Sequence, residues 1–187
     1  MRAGIVSPSR RSTHHEPTGA REIAQHYLRD LVYGANDGII TTFAVVAGVA
    51  GGALSARAVL IVGIANLIAD GLSMGVGNYL GIRSHESARA ALGLPEEEAR
   101  PARHGIATFL AFVVAGTIPI LPYLVMPVGS LAQSTLFTFA ALFGVGALRS
   151  AVTVDRWWMA GLEMLGLGAL VAASAYACGA IVGAIVR

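Results

Sequence analysis

From Gly105 to Leu148 the chain carries not one charged side chain. A helix needs roughly 20 mostly apolar residues to cross a bilayer, and a charge-free run of this length offers no polar outer face to water. Charged residues and turn formers divide the sequence into five such segments, at 31–53, 58–82, 105–126, 130–148 and 157–186. Pro119, Pro122, Pro127 and Gly129 interrupt the charge-free run where the third and fourth segments would turn back on each other. The composition agrees, with 55% hydrophobic and 13% charged residues and a mean hydropathy of +0.66, far above the soluble balance. The expected fold class is therefore an all-α integral membrane protein with five transmembrane helices per protomer.

Arginine sets the orientation, because loops kept in the cytoplasm carry the excess of positive charge. Arg2, Arg10, Arg11, Arg21 and Arg29 precede the first segment. Arg83, Arg89, Arg100 and Arg103 follow the second, and Arg149 and Arg156 follow the fourth. Only Arg57 and Arg187 fall on the other side, which predicts a cytoplasmic N-terminus and a C-terminus on the opposite face. Residues 1–20 lack a continuous apolar stretch and read as a disordered polar tail, in which His14–His15 are solvated. The transporter-sized body is 21–187. Within it, 21–30 has the apolar periodicity of an interfacial helix, carried by Ile23, Tyr27 and Leu28. Residues 82–104 form a short cytoplasmic loop, and Trp157 and Trp158 anchor the last span at headgroup level.

A formal charge of +2 gives no nucleic-acid footprint. The lone Cys178 supports neither an internal disulfide nor a thiolate zinc site within one chain. No serine, cysteine or histidine pattern has catalytic spacing, so an enzyme is not expected. What stands out is a set of acids at membrane depth. Asp37, Asp70 and Glu163 each cost about 2.5–3.5 kcal/mol near a helix centre. Asp37 and Glu163 lie roughly 9 Å in from the cytoplasmic ends of their spans, and Asp70 is close to the middle. Arg149 or Arg156 can reach Glu163, so structural pairing and transport both account for it; Asp70 has no arginine in its span. Asn66, Asp70, Met74 and Asn78 recur every four residues and share one helix face. Carboxylate and amide oxygens suit hard divalent ions and a thioether favours softer ones, which together point to ferrous iron or manganese. Met74 is equally the kind of side chain that fills a core. Gly34, Gly38, Gly71, Gly75, Gly77 and Gly81 would let helices approach closely.

The run RDLVYGANDGIITTF at 29–43, continued by AVVAG at 44–48, closely resembles the first transmembrane signature of the vacuolar iron transporter family. ANLIADGLSMGVGNYL at 65–80 looks like the second, and GLEML at 161–165 resembles the start of the last helix. The resemblance runs from about Tyr27 to the C-terminus. It implies a five-helix protomer working as a homodimer, its first helices lining a path for Fe²⁺ or Mn²⁺ leaving the cytoplasm in exchange for protons. Asp37 and Met74 match path residues; Asp70, Asn66 and Glu163 are added by membrane cost and helix face. The ion is cargo, and no cofactor is expected.

Two features depart from the family pattern. The glutamate-rich domain that eukaryotic members carry after the second helix does not fit within 82–104. There His85, Glu86, Glu96, Glu97, Glu98 and His104 form either a reduced metal-collecting site or, the better reading against Arg83, Arg89, Arg100 and Arg103, a solvated loop. Asn78 also stands where many members have glutamate. The absence of lysine fits a GC-rich genome and a bacterial cytoplasmic membrane. The alternatives are a transporter of another cation, or a membrane assembly module whose acids only hold helices together.

Overall fold

A computed structural model of the chain describes residues 17–126, 130–150 and 156–186. Most of the expected tail, with His14–His15, the turn residues Pro127 and Gly129, and Arg187 lie outside the described residues. These comprise six helices and no strand: α1 (Ala20–Gly51), α2 (Ala56–Ala91), α3 (Pro101–Gly116), α4 (Leu121–Val125), α5 (Leu131–Arg149) and α6 (Trp157–Ile185). By length and composition α1, α2, α5 and α6 can each cross a membrane. The chain is an all-α membrane protein.

Local sequence explains most helix ends. Glu22 in the first turn of α1 accepts the Thr18 N–H at 3.1 Å, and 21–30 continues unbroken into the first span. Ser55 caps α2. Ser130 and Gln133 form a reciprocal capping box on α5, and Pro101 opens α3, where its missing N–H has no intrahelical role.

The segment 105–126 differs from a single expected span. It is α3, a turn over 117–120, and the five-residue α4. Pro119 and Pro122 cannot donate backbone hydrogen bonds and interrupt the ladder. Broken backbone at membrane depth must be covered by protein, and Pro119, Ile120 and Pro122 are buried, with the Ser134 hydroxyl of α5 donating to the Pro119 carbonyl at 2.7 Å.

Residues 82–104 also depart from a loop. α2 runs on to Ala91 and stops at Gly93, whose φ of +70° suits glycine; there the Leu94 N–H returns to the Arg89 carbonyl at 3.0 Å. The nonhelical remainder, 92–100, is strapped to α2 instead of being solvated along its length. Arg89 donates through Nε and Nη2 to the Pro95 carbonyl at 3.1 and 2.9 Å and meets Glu97 at 2.8 Å. Buried Glu86 accepts the Glu97 and Glu98 N–H groups at 3.2 and 3.1 Å.

Around this frame α1 is central, packing on α2, α3, α5 and α6. Its core contributions are Ile39, against Ala115 and Leu142, and Phe43 with Val46, against Val59. Leu67 of α2 joins Phe112 and Ile120 in a third cluster. Large residues such as Val114, Leu136 and Leu170 point outward, as expected of a lipid-facing surface. Close backbone contact is confined to particular glycines: a Cβ on Gly75 would come within 2.8 Å of the Gly105 carbonyl oxygen, and one on Gly105 within 2.6 Å of that of Gly75. Gly77 and Gly81, expected to pack in the same way, meet nothing within 4 Å. They line a cavity instead.

Candidate functional site

The four-residue spacing on α2 produces the expected face. Gly63, Leu67, Gly71 and Gly75 form its buried stripe, and Asn66, Asp70, Met74 and Asn78 run beside that stripe, all half-buried. The Asn66 amide donates to Asp70 Oδ2 at 2.8 Å. From α1, Asp37 stands near enough for the Asp70 charge to bear on it, so two carboxylates from different helices share one region. The Thr41 hydroxyl donates to the Asp37 carbonyl at 2.8 Å, tying down its backbone. Next to Asp37, Asn36 holds a buried amide oxygen with no hydrogen-bond partner. Met74 both packs on the Leu67–Phe112–Ile120 cluster and faces the cavity.

That cavity, about 990 Å³, reaches Met74 as its deepest lining residue on α2 and opens past Asn78, Gly81 and His85. Asp70 lies one turn beyond its floor. A continuous polar network builds the outer wall. The Asn78 amide donates to Asp30 Oδ1 and contacts the Thr108 hydroxyl, both at 2.8 Å. Asp30, almost fully buried, meets His104 Nδ1 through its other oxygen. His104 Nε2 lies 2.9 Å from Glu98 Oε2, and His26 Nε2 lies 3.3 Å from the same oxygen. The remaining Glu98 oxygen accepts the Arg100 N–H at 2.7 Å, ahead of α3.

The structure thus joins Asn66 to Asp70 on the α2 face that carries Met74 to the cavity, with Asp37 on the neighbouring α1. Glu163 is elsewhere in the bonding pattern. On α6 its carboxylate pairs with Arg149 of α5 at 2.9 Å, and its side chain is 61% exposed. The sequence grouped Glu98 and His104 with other residues of 82–104 as one of two readings of that segment; His26 and Asp30, four residues apart on α1, it did not bring to them. The structure joins these two pairs, from α1 and from the end of 82–104.

An all-α membrane protein with paired acids beneath a polar cavity defines the class. A model of the VIT family matches residues 28–91 and 85–180, and the chain belongs to that family. It is 27% identical over 220 aligned positions to vacuolar iron transporter 2 of Oryza sativa subsp. japonica, covering 86% of this chain and 89% of that protein. To vacuolar iron transporter 1 of Arabidopsis thaliana it is 25% identical over 236 positions, covering 95% and 94%. A shorter match to the vacuolar iron transporter of Toxoplasma gondii reaches 52% identity over 54 residues, covering 29% of this chain and 18% of that protein.

Proposed function

We propose that the chain transports a divalent transition metal, Fe²⁺ or Mn²⁺, across the membrane and out of the cytoplasm in exchange for protons. The observation that carries this is the Asp37–Asp70 pair at membrane depth, one turn beyond a cavity floored by Met74. Two neighbouring carboxylates in a medium of low dielectric repel each other and need a compensating positive charge. A divalent ion supplies it, and so do protons, so the release of one is matched by the uptake of the other. The Met74 thioether adds a soft donor that Mg²⁺ and Ca²⁺ do not use. The iron in the names of the related vacuolar iron transporters supports the same cargo.

In this mechanism the ion enters the cavity on the arginine-rich side and passes Met74. It is then bridged by Asp37 and Asp70, with Asn66 holding the Asp70 oxygen in place. The working unit is a homodimer: α1 leaves Tyr33 exposed beside the cavity, where the α1 of a second copy closes the path. In a bacterial cytoplasmic membrane the direction is efflux. The assembly-module alternative is less well supported, because among the described residues the hydrogen bond to the Asp70 side chain comes from its own helix and joins no two helices. Fe²⁺ and Mn²⁺ flux into proteoliposomes under an imposed pH gradient tests the proposal. Gradient-dependent flux that disappears in Asp37→Ala is expected, and unchanged flux in that variant overturns the role of Asp37.

A further inference from the structure

Three ligand atoms converge on the outer wall of the cavity from three segments that are distant in sequence. His26 Nε2 comes from α1, Glu98 Oε2 from the 92–100 strap and His104 Nε2 from α3, all within 4.8 Å of one another. An ion bound tetrahedrally at about 2.0–2.1 Å holds its ligand atoms about 3.3–3.4 Å apart. The His26–Glu98 and His104–Glu98 separations of 3.3 and 2.9 Å are near that value.

The surroundings orient these atoms. Asp30 meets His104 Nδ1 and leaves Nε2 directed at Glu98; since a carboxylate only accepts hydrogen bonds, an ion that binds here takes the place of the Nε2 proton given to Glu98. Imidazole ligands of metals are commonly backed in this way by a carboxylate on the far ring nitrogen. Asp30 is itself held by Asn78 at 2.8 Å, and Arg29 lies 3.8 Å away. Glu98 is fixed through its backbone by buried Glu86 and through its second oxygen by the Arg100 N–H. The Tyr27 ring packs against both imidazoles, 4.8 Å from each ring centre, and the imidazoles lie 5.0 Å from each other. Such ordering lowers the entropy lost on binding.

We infer that His26, Glu98 and His104 form a binding site for one divalent transition-metal ion at the mouth of the cavity, with Asp30 as the positioning residue for His104. Two imidazoles and one carboxylate favour Fe²⁺, Co²⁺ or Zn²⁺ over Mg²⁺ and Ca²⁺, which prefer oxygen. The three side chains line the cavity that Met74 floors, and the open coordination positions therefore face inward. The site selects its ion by nitrogen ligation before any acid deeper in the membrane meets it. Binding stands on the geometry alone; its service as a loading station rests on the transport proposal above.

Co²⁺ is the probe, because imidazole ligation in a four- or five-coordinate site gives visible absorption bands that hydrated Co²⁺ lacks. The full chain in detergent micelles, carrying Asp37→Asn to silence the deeper acids, is titrated with Co²⁺ in the presence of excess Mg²⁺. One equivalent with such bands is expected. Glu98→Gln and His26→Ala should each weaken binding at least tenfold, and Asp30→Asn by about 10–100-fold with shifted bands. Helical circular dichroism verifies that each variant is folded. Bands that persist in both folded ligand variants, or the absence of any bands in the parent, overturn the site. Metal flux by the otherwise unaltered chain separates the two proposals. Flux without a Co²⁺ site refutes only the mouth, and a Co²⁺ site without flux refutes only transport.

Discussion

The mouth of the cavity and its floor hold similar chemical groups in opposite states of restraint. At the mouth, Asn78, Asp30, His104, Glu98 and His26 form one chain of polar contacts that ties α1, α2, α3 and the 92–100 strap together. At the floor, the Asp70 carboxylate is bonded within its own helix and Asp37 is tethered through its backbone. Buried polar groups that satisfy one another rigidify a structure, and those left partly satisfied cost free energy. The mouth is a wall cross-linked between helices, whereas the acids of the floor are tied only within their own helices.

The largest effect that tests this contrast is loss of transport at the floor. Asp37→Asn and Asp70→Asn each remove a charge that the cargo must neutralise, and initial Fe²⁺ flux into proteoliposomes should fall by about 100-fold or more, as expected for losing a direct ion ligand worth about 3 kcal/mol. The fold should persist, because among the described residues neither carboxylate is hydrogen-bonded to a second helix. Glu86→Gln at the mouth should act the other way round. It weakens the acceptor for two backbone N–H groups, loosens the strap that carries Glu98, and raises the half-saturating metal concentration several-fold while maximal flux holds. Equal losses of maximal flux at both places would erase the distinction.

Helix packing supplies the next test and separates two kinds of glycine. Gly75→Ala forces a methyl group to within 2.8 Å of the Gly105 carbonyl oxygen, and such overpacking costs about 1–3 kcal/mol. Gly77→Ala, two residues on, meets open space and should leave stability unchanged or raise it by up to about 1 kcal/mol through helix propensity. Thermal unfolding in detergent, followed by circular dichroism, should therefore order the midpoints as Gly77→Ala at or above the parent and Gly75→Ala clearly below it. The reverse order would mean that the cavity side of α2 is packed and the α2–α3 contact is loose.

Sequence periodicity made the α2 side of the floor legible because those residues are local. Asn66, Asp70 and Met74 lie on one helix, and a four-residue spacing becomes a face in any α-helix. The charge-free run also made the helical membrane class legible. The break between α3 and α4 was visible in the sequence as Pro119 and Pro122, yet counting apolar residues merged the two helices into one span, since hydropathy is blind to where a backbone hydrogen bond is lost. The mouth was the least legible part. Glu86 and Glu98 sit among charges that balance to nearly nothing in composition, and only the fold of α2 past Ile82 buries Glu86 and brings Glu98 against two histidines. Charge counting cannot distinguish an acid that is solvated from one that straps a loop.

The smallest effect belongs to Glu163, an acid at a depth similar to Asp37 by sequence but partnered differently. Its carboxylate meets Arg149 across α5 and α6 at 2.9 Å, and exposed pairs of this kind contribute about 0–1 kcal/mol. Glu163→Gln leaves a long arginine side chain that can extend to the headgroup region, so metal flux should stay within about twofold of the parent and the unfolding midpoint should barely move. Arg149→Gln should be the more harmful of the two, because the shorter glutamate is then left at the edge of the apolar layer without its cation. Measuring both variants beside Asp37→Asn isolates what the partner contributes. If Glu163→Gln instead abolishes flux in a folded protein, an acid already paired in the resting state takes part in moving the ion, and the Arg149 pair is a latch that transport must open.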